Sequence, residues 1–137
     1  MTTMLRGAMT ALVTPFTANG AVDEAALAAF VDWQIAEGIH GVVPVGSTGE
    51  AVTLSLAERE RVVRVTAERA RGRVPVIAGA GSNDTAAAIE ASKVLGRAGA
   101  THLLHVSPMY NKPPQRGIVA HFTAVADASP LPIVLYN

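Results

Sequence analysis

Cysteine is absent from the 137-residue chain, which excludes disulfides, thiolate catalysis and thiolate metal sites. Aromatic residues make up only 4%, and basic and acidic side chains balance at 11 each. With neither a basic excess nor an aromatic stacking surface, a nucleic-acid module is disfavoured. Charged residues amount to 16% while half the chain is hydrophobic, the reverse of a disordered segment. Apolar runs are broken by Gly, Pro or charge well before the roughly 18 residues of a membrane span. The start of the chain, apolar with Arg6 inside it, imitates a weak signal peptide. Pro15 and Phe16 follow without a small-residue cleavage pattern. The expectation is a cytoplasmic protein that meets neither nucleic acid nor membrane.

What is present is an alternation of short β-branched runs with longer helical patterns. Strands are expected over residues 11–14, 41–45, 74–78, 102–106 and 133–136. Asp23 can cap a helix whose apolar face is Leu27, Phe30, Val31 and Ile35, with Gly38 as its stop. Ser55 and Glu58 form a capping box ahead of an Arg-rich helix reaching about Arg71. Ser82, Asn83 and Asp84 offer caps for an Ala-rich helix, and Ile118, Phe122 and Val125 mark a fourth. The repeat, at roughly 30 residues, has the size of a βαβ unit. Continuously apolar strands indicate a parallel sheet covered by helices.

Two architectures fit, a doubly wound open sheet and a TIM (β/α)8 barrel. The open-sheet nucleotide folds carry a Gly-rich phosphate loop after the first strand, whereas here Thr14, Pro15, Phe16 and Thr17 occupy that place. The barrel therefore leads. A complete one takes about 250 residues. Residues 1–137, with five strands and four helices, thus cover about half of one. Its high apolar fraction suits half of a shared core.

Gly46, Ser47, Thr48, Gly49 and Glu50 directly follow the second strand, at the strand end where barrel enzymes keep their sites. Glycines let a backbone turn sharply and approach a ligand, and hydroxyls with free N–H groups can hold a carboxylate or phosphate. An ordinary tight turn with hydroxyl caps explains the same residues. Tyr136 ends the fifth strand and Tyr110 follows the fourth; either can shuttle a proton or simply pack its ring. His102 and His105 lie three apart in a strand and face opposite sides, while His40 and His121 read as surface or helix-flank residues. No metal site is assigned. Lysine is scarce: Lys93 belongs to the third helix and Lys112 to a Pro-bounded loop, neither on a strand where burial could tune it for Schiff-base chemistry. The helix with Arg59, Arg61, Arg64, Arg69 and Arg71 also carries Glu58, Glu60 and Glu68, and reads as a solvated face.

Residues 11–16, 46–50, 74–81, 108–113 and 131–137, taken in order, resemble the dihydrodipicolinate synthase and N-acetylneuraminate lyase family. The stretches around Tyr110 and Tyr136 are most similar to its synthase branch. The resemblance implies a class I aldolase-like barrel, assembled as a homotetramer. By the same resemblance residues 1–137 are the N-terminal half of a single barrel domain, and a lysine on the sixth strand, outside this chain, forms a Schiff base with pyruvate. The resulting enamine attacks L-aspartate 4-semialdehyde in lysine and diaminopimelate biosynthesis, with no metal and no separate cofactor. It further implies Tyr136 as central proton donor and acceptor, Ser47 as relay hydroxyl, and Tyr110 reaching in from a neighbouring subunit. Thr48, with the loop N–H groups of Gly46 and Gly49, would hold the pyruvate carboxylate.

Position 47 is Ser where synthases often carry Thr and sialate lyases often carry Ser. An N-acetylneuraminate lyase or a 2-keto-3-deoxy-sugar-acid aldolase therefore stays open beside the synthase. A non-catalytic half-barrel scaffold is the alternative of another class. Of the polar cluster that binds lysine in feedback-inhibited members, Asn83 matches, but Leu56, Arg59, Ala87 and Met109 do not. Weak or absent regulation by lysine is expected.

Overall fold

The computed structural model describes residues 4–137. Five strands alternate with four helices: β1 (Met9–Ala11), α1 (Glu24–Ala36), β2 (Gly41–Val43), α2 (Leu56–Ala70), β3 (Ile77–Gly79), α3 (Thr85–Arg97), β4 (His102–Val106), α4 (Gln115–Ala128) and β5 (Ile133–Tyr136). A single 3-10 turn, Ala51–Thr53, precedes α2. β1 pairs with β2, β3 with β4 and β4 with β5, all parallel, and a parallel Val42–Val76 bridge joins the two ladders. Strand order in space therefore follows the order in sequence. A doubly wound sheet must reverse direction at a switch point; this one does not. With right-handed crossovers, a monotonic order puts every helix on one face. The helices indeed pack in succession, α1 on α2, α2 on α3 and α3 on α4. The result is an α/β partial barrel.

Local chemistry sets the element ends. Asp23 accepts from the Ala26 amide and starts α1, while Gly38 at φ 88° ends it. The capping box of Ser55 and Glu58 is fully formed. Asp84 accepts from the Ala86 and Ala87 amides at the start of α3. Prolines shorten the strands relative to their apolar runs. β2 stops at Val43 because Pro44 has no N–H and Val45 turns left-handed at φ 51°. β3 begins only at Ile77, two residues beyond Pro75. β1 lies earlier than expected: Leu12 keeps one bond to the Val43 carbonyl at 3.0 Å, then the chain leaves the ladder.

One apolar cluster holds sheet and helices together, with Leu27, Val31, Val42, Val62, Val63 and Leu103 inaccessible or nearly so. The Arg-rich helix is not uniformly solvated. Arg61 meets Glu24 of α1 at 3.4 Å, and Arg69 pairs with Asp32 of α1. Arg59 turns inward, its Nη2 donating to the Gly79 carbonyl at 2.7 Å. Burial pushes its guanidinium below the usual value.

Three histidines are buried, His102, His105 and His121, and the last two pack against α3. The His105 Nε2 meets Ser92 Oγ of α3 at 3.2 Å, and the His121 Nδ1 meets Thr85 Oγ1 at 2.8 Å. His121 is thus not a surface residue, since α3 covers its side of α4. Burial, and secondarily the His121 imidazole, pushes His105 down to about 4 from 6.5. Below pH 6.5 the unfolded chain takes up a proton that the native chain refuses, so stability present at neutral pH is lost as pH falls towards 4. Urea unfolding should show a loss of about 2 kcal/mol between roughly pH 7 and pH 4.5. The variant His105→Leu should flatten that slope; an unchanged slope would reject His105 as its source.

Candidate active site

The strand C-terminal ends share one edge, and there the backbone is strained. Among the described residues, five non-glycine positions have left-handed backbone, and four of them, Val45, Glu50, Tyr110 and Lys112, lie in the loops after β2 and β4. The β-branched Val45 in that region is a marked outlier, of the kind that clusters where a protein holds ligands. Arg71, the fifth, merely ends α2.

The loop of residues 46–50 is built as a tight turn. The Gly46 carbonyl accepts from the Gly49 amide at 3.1 Å and the Ala51 amide at 3.3 Å, while the Ser47 carbonyl accepts from Glu50 at 3.1 Å. Left-handed backbone falls on the residues flanking the turn, Val45 and Glu50, rather than on its glycines. Gly49 is needed for a different reason: a Cβ there would lie 2.9 Å from the Leu12 carbonyl oxygen. Buried Thr14 fastens the turn, its hydroxyl donating to the Gly49 carbonyl at 2.7 Å. Ser47 and Thr48 stand exposed at the tip, and among the described residues their amides donate to no protein acceptor. Free N–H groups and hydroxyls at a turn suit a carboxylate.

Tyr136 is the last residue of β5; its carbonyl accepts from the Ser107 amide at 3.0 Å, which fixes the backbone. Its side chain is 61% exposed. Tyr110 is 96% exposed, in the loop beyond β4. The fold therefore brings Ser47, Thr48, Tyr110 and Tyr136 to one rim. Among the described residues no hydrogen bond joins the hydroxyls of Ser47, Tyr110 and Tyr136. Lys93 and Lys112 are both exposed, and Lys93 lies on the helix layer away from this edge. Among the described residues no three His, Asp, Glu or Cys side chains converge as metal ligands would, and no helix is long and apolar enough to cross a membrane.

Three residues of this rim escape a reading of sequence. Thr14 passes for a strand residue, and nothing local shows that its hydroxyl will meet residue 49. Gly79 closes the gap between β3 and the β2 loop: a Cβ there would lie 2.8 Å from the Val45 carbonyl carbon and 3.0 Å from Gly46 Cα. Asn83, readable as a helix cap, instead spans to Met109.

Parallel strands in sequential order, one helix layer and strained loops at the C-terminal rim define the chain as part of a (β/α)8-barrel enzyme fold. A profile described as the Dihydrodipicolinate synthetase family matches residues 4–137. The chain belongs to this family. It is 60% identical over 98% of its length to a 4-hydroxy-tetrahydrodipicolinate synthase of Agrobacterium fabrum, covering 46% of that protein. It thus spans about half the length of the curated relatives it matches. Among solved structures, a chloride-inhibited dihydrodipicolinate synthase of Acinetobacter baumannii, complexed with pyruvate, is 43% identical with a TM-score of 0.95. The match covers 98% of this chain and 46% of that one. A family member from E. coli K12, also in complex with pyruvate, is 33% identical with a TM-score of 0.93, over 98% of this chain and 45% of its own.

Proposed function

We propose that these residues form the hydroxyl-bearing half of a 4-hydroxy-tetrahydrodipicolinate synthase, which condenses pyruvate with L-aspartate 4-semialdehyde through a Schiff base. The carrying observation is the 60% identity, over 134 residues, to an enzyme so named. Pyruvate in two solved relatives supports the first substrate. The Thr48 hydroxyl and the free Ser47 and Thr48 amides hold the pyruvate carboxylate, with Gly46 shaping the turn, whereas the Gly49 amide, expected to share that role, is already committed to the Gly46 carbonyl. Tyr136 donates and accepts the protons of Schiff-base formation and of the aldol step, with Ser47 as relay. Neutral hydroxyls move those protons without setting a fixed charge beside the iminium. Tyr110, nearly free of its own subunit, completes the relay across a subunit contact, which makes the working assembly an oligomer, a tetramer in this reading. The residues form one half of a single barrel domain, and the enzyme works in the cytoplasm.

The reading is tested by trapping. Residues 1–137 joined to the C-terminal half of the Agrobacterium fabrum relative should, with pyruvate and borohydride, gain one reduced adduct on a lysine of the C-terminal half. The 137-residue chain alone should gain none. An adduct on Lys93 or Lys112 overturns the assignment. Turnover of a keto-deoxy-sugar acid in place of aspartate semialdehyde by the joined protein overturns the choice of synthase, an alternative that Ser47 supports.

A further inference from the structure

The Tyr110 loop poses a physical problem. Tyr110 and Lys112 both carry left-handed backbone, at φ 69° and 45°, without being glycine. Such conformations persist only where the surroundings over-determine them. Yet the Tyr110 side chain is 96% exposed and, among the described residues, bonds to nothing that could hold it. Within its own subunit, then, the hold comes from the backbone.

It comes from Asn83. The Asn83 Nδ2 donates to the Met109 carbonyl at 2.9 Å, and its Oδ1 accepts from the Met109 amide at 3.0 Å. One side-chain amide thus clamps both polar groups of the residue directly before Tyr110. The Asn111 amide closes the turn on the same Met109 carbonyl at 2.8 Å. The base of the clamp is itself rigid. Ser82 Oγ accepts from the Asp84 amide at 3.1 Å, and Asp84 caps α3 through two amides. Asn83 therefore sits between two fastened residues on the start of a 13-residue helix. A short, two-sided contact from a rigid element is what precise placement of a loop requires.

We infer that Asn83 is a positioning residue that sets the Tyr110 hydroxyl for proton relay by clamping the Met109 backbone. With both ends of its amide committed to Met109, Asn83 is not free to serve a regulatory ligand at the same time. The inference rests on the functional reading above for its kinetic consequence, but not for its structural one.

Two measurements separate these. In the 137-residue chain, Asn83→Ala should speed hydrogen exchange at the Asn111 and Met109 amides by at least about tenfold, with β4 and α4 amides unchanged. Unchanged exchange at Met109 overturns the clamp. In the protein joined to the Agrobacterium fabrum C-terminal half, Asn83→Ala should lower kcat about tenfold to a hundredfold with the KM for pyruvate within about twofold. Asn83→Asp adds a signature that mere loss of folding would not produce. Ionised, the carboxylate repels the Met109 carbonyl; protonated, it can donate to that carbonyl and accept from the amide. Its kcat relative to the unsubstituted protein should therefore rise as pH falls. A kcat of Asn83→Ala equal to that of the parent, or an Asn83→Asp ratio flat with pH, overturns the positioning role. If the unsubstituted joined protein is itself inactive, the functional reading fails, while the exchange measurement still decides the clamp.

Discussion

Removing the Tyr136 hydroxyl, as Tyr136→Phe in the joined protein, should lower kcat for condensation with aspartate semialdehyde by about 10² to 10⁴. That corresponds to about 3–5 kcal/mol of lost transition-state stabilisation. The ring remains, so packing at the end of β5 is untouched. In the 137-residue chain, where Tyr136 is 61% exposed and its hydroxyl has no hydrogen bond among the described residues, the same change should move stability by no more than about 0.5 kcal/mol. The separation of a large kinetic loss from a null thermodynamic one is the point of the experiment. A tyrosine that merely wets its hydroxyl at a strand end would show the same null stability change but no kinetic loss. Steady-state kinetics beside urea unfolding distinguish the cases, and a kcat within about tenfold of the parent removes Tyr136 from the relay.

Gly79→Ala should be the most damaging single-methyl change to the fold, costing about 3 kcal/mol, the upper part of the range for overpacking. The new Cβ would fall inside contact distance of the Val45 carbonyl oxygen, and 2.8 Å from its carbonyl carbon. Both are backbone atoms, so no side chain can swing away to make room. Val45 already sits at φ 51°, and the Gly79 amide bonds the Pro44 carbonyl at 3.0 Å. Relief must therefore come from pulling β3 away from β2, which loosens the turn carrying Ser47 and Thr48. The Gly79 carbonyl would also shift from Arg59, leaving a half-buried guanidinium with a poorer partner. Urea unfolding measures the cost, and a loss below about 1 kcal/mol would show that β2 and β3 separate easily. Gly46→Ala is the control, since a Cβ there meets nothing within 4 Å.

Sequence by itself determined the class of fold and the chemistry on offer. Caps located three helices, because Asp23, Ser55 and Asp84 act on amides within three residues of themselves, and apolar periodicity alone located α4, which has no side-chain cap. Local signals of that kind survive without tertiary knowledge. The residues later found at the rim, Ser47, Thr48, Tyr110 and Tyr136, were also legible as chemistry, because they end or follow strands. Strand limits were less so: apolar runs report burial, whereas ladders end where prolines and left-handed residues interrupt hydrogen bonding. Only the tertiary structure decided the sequential strand order that excludes a doubly wound sheet, since pairing partners lie some 25–34 residues apart. It alone turned Arg59 inward, buried His121 under α3, and joined Thr14 to Gly49 and Asn83 to Met109. Each of those contacts links side chains and backbone far apart in sequence, and no local pattern encodes which distant carbonyl a hydroxyl or amide will meet.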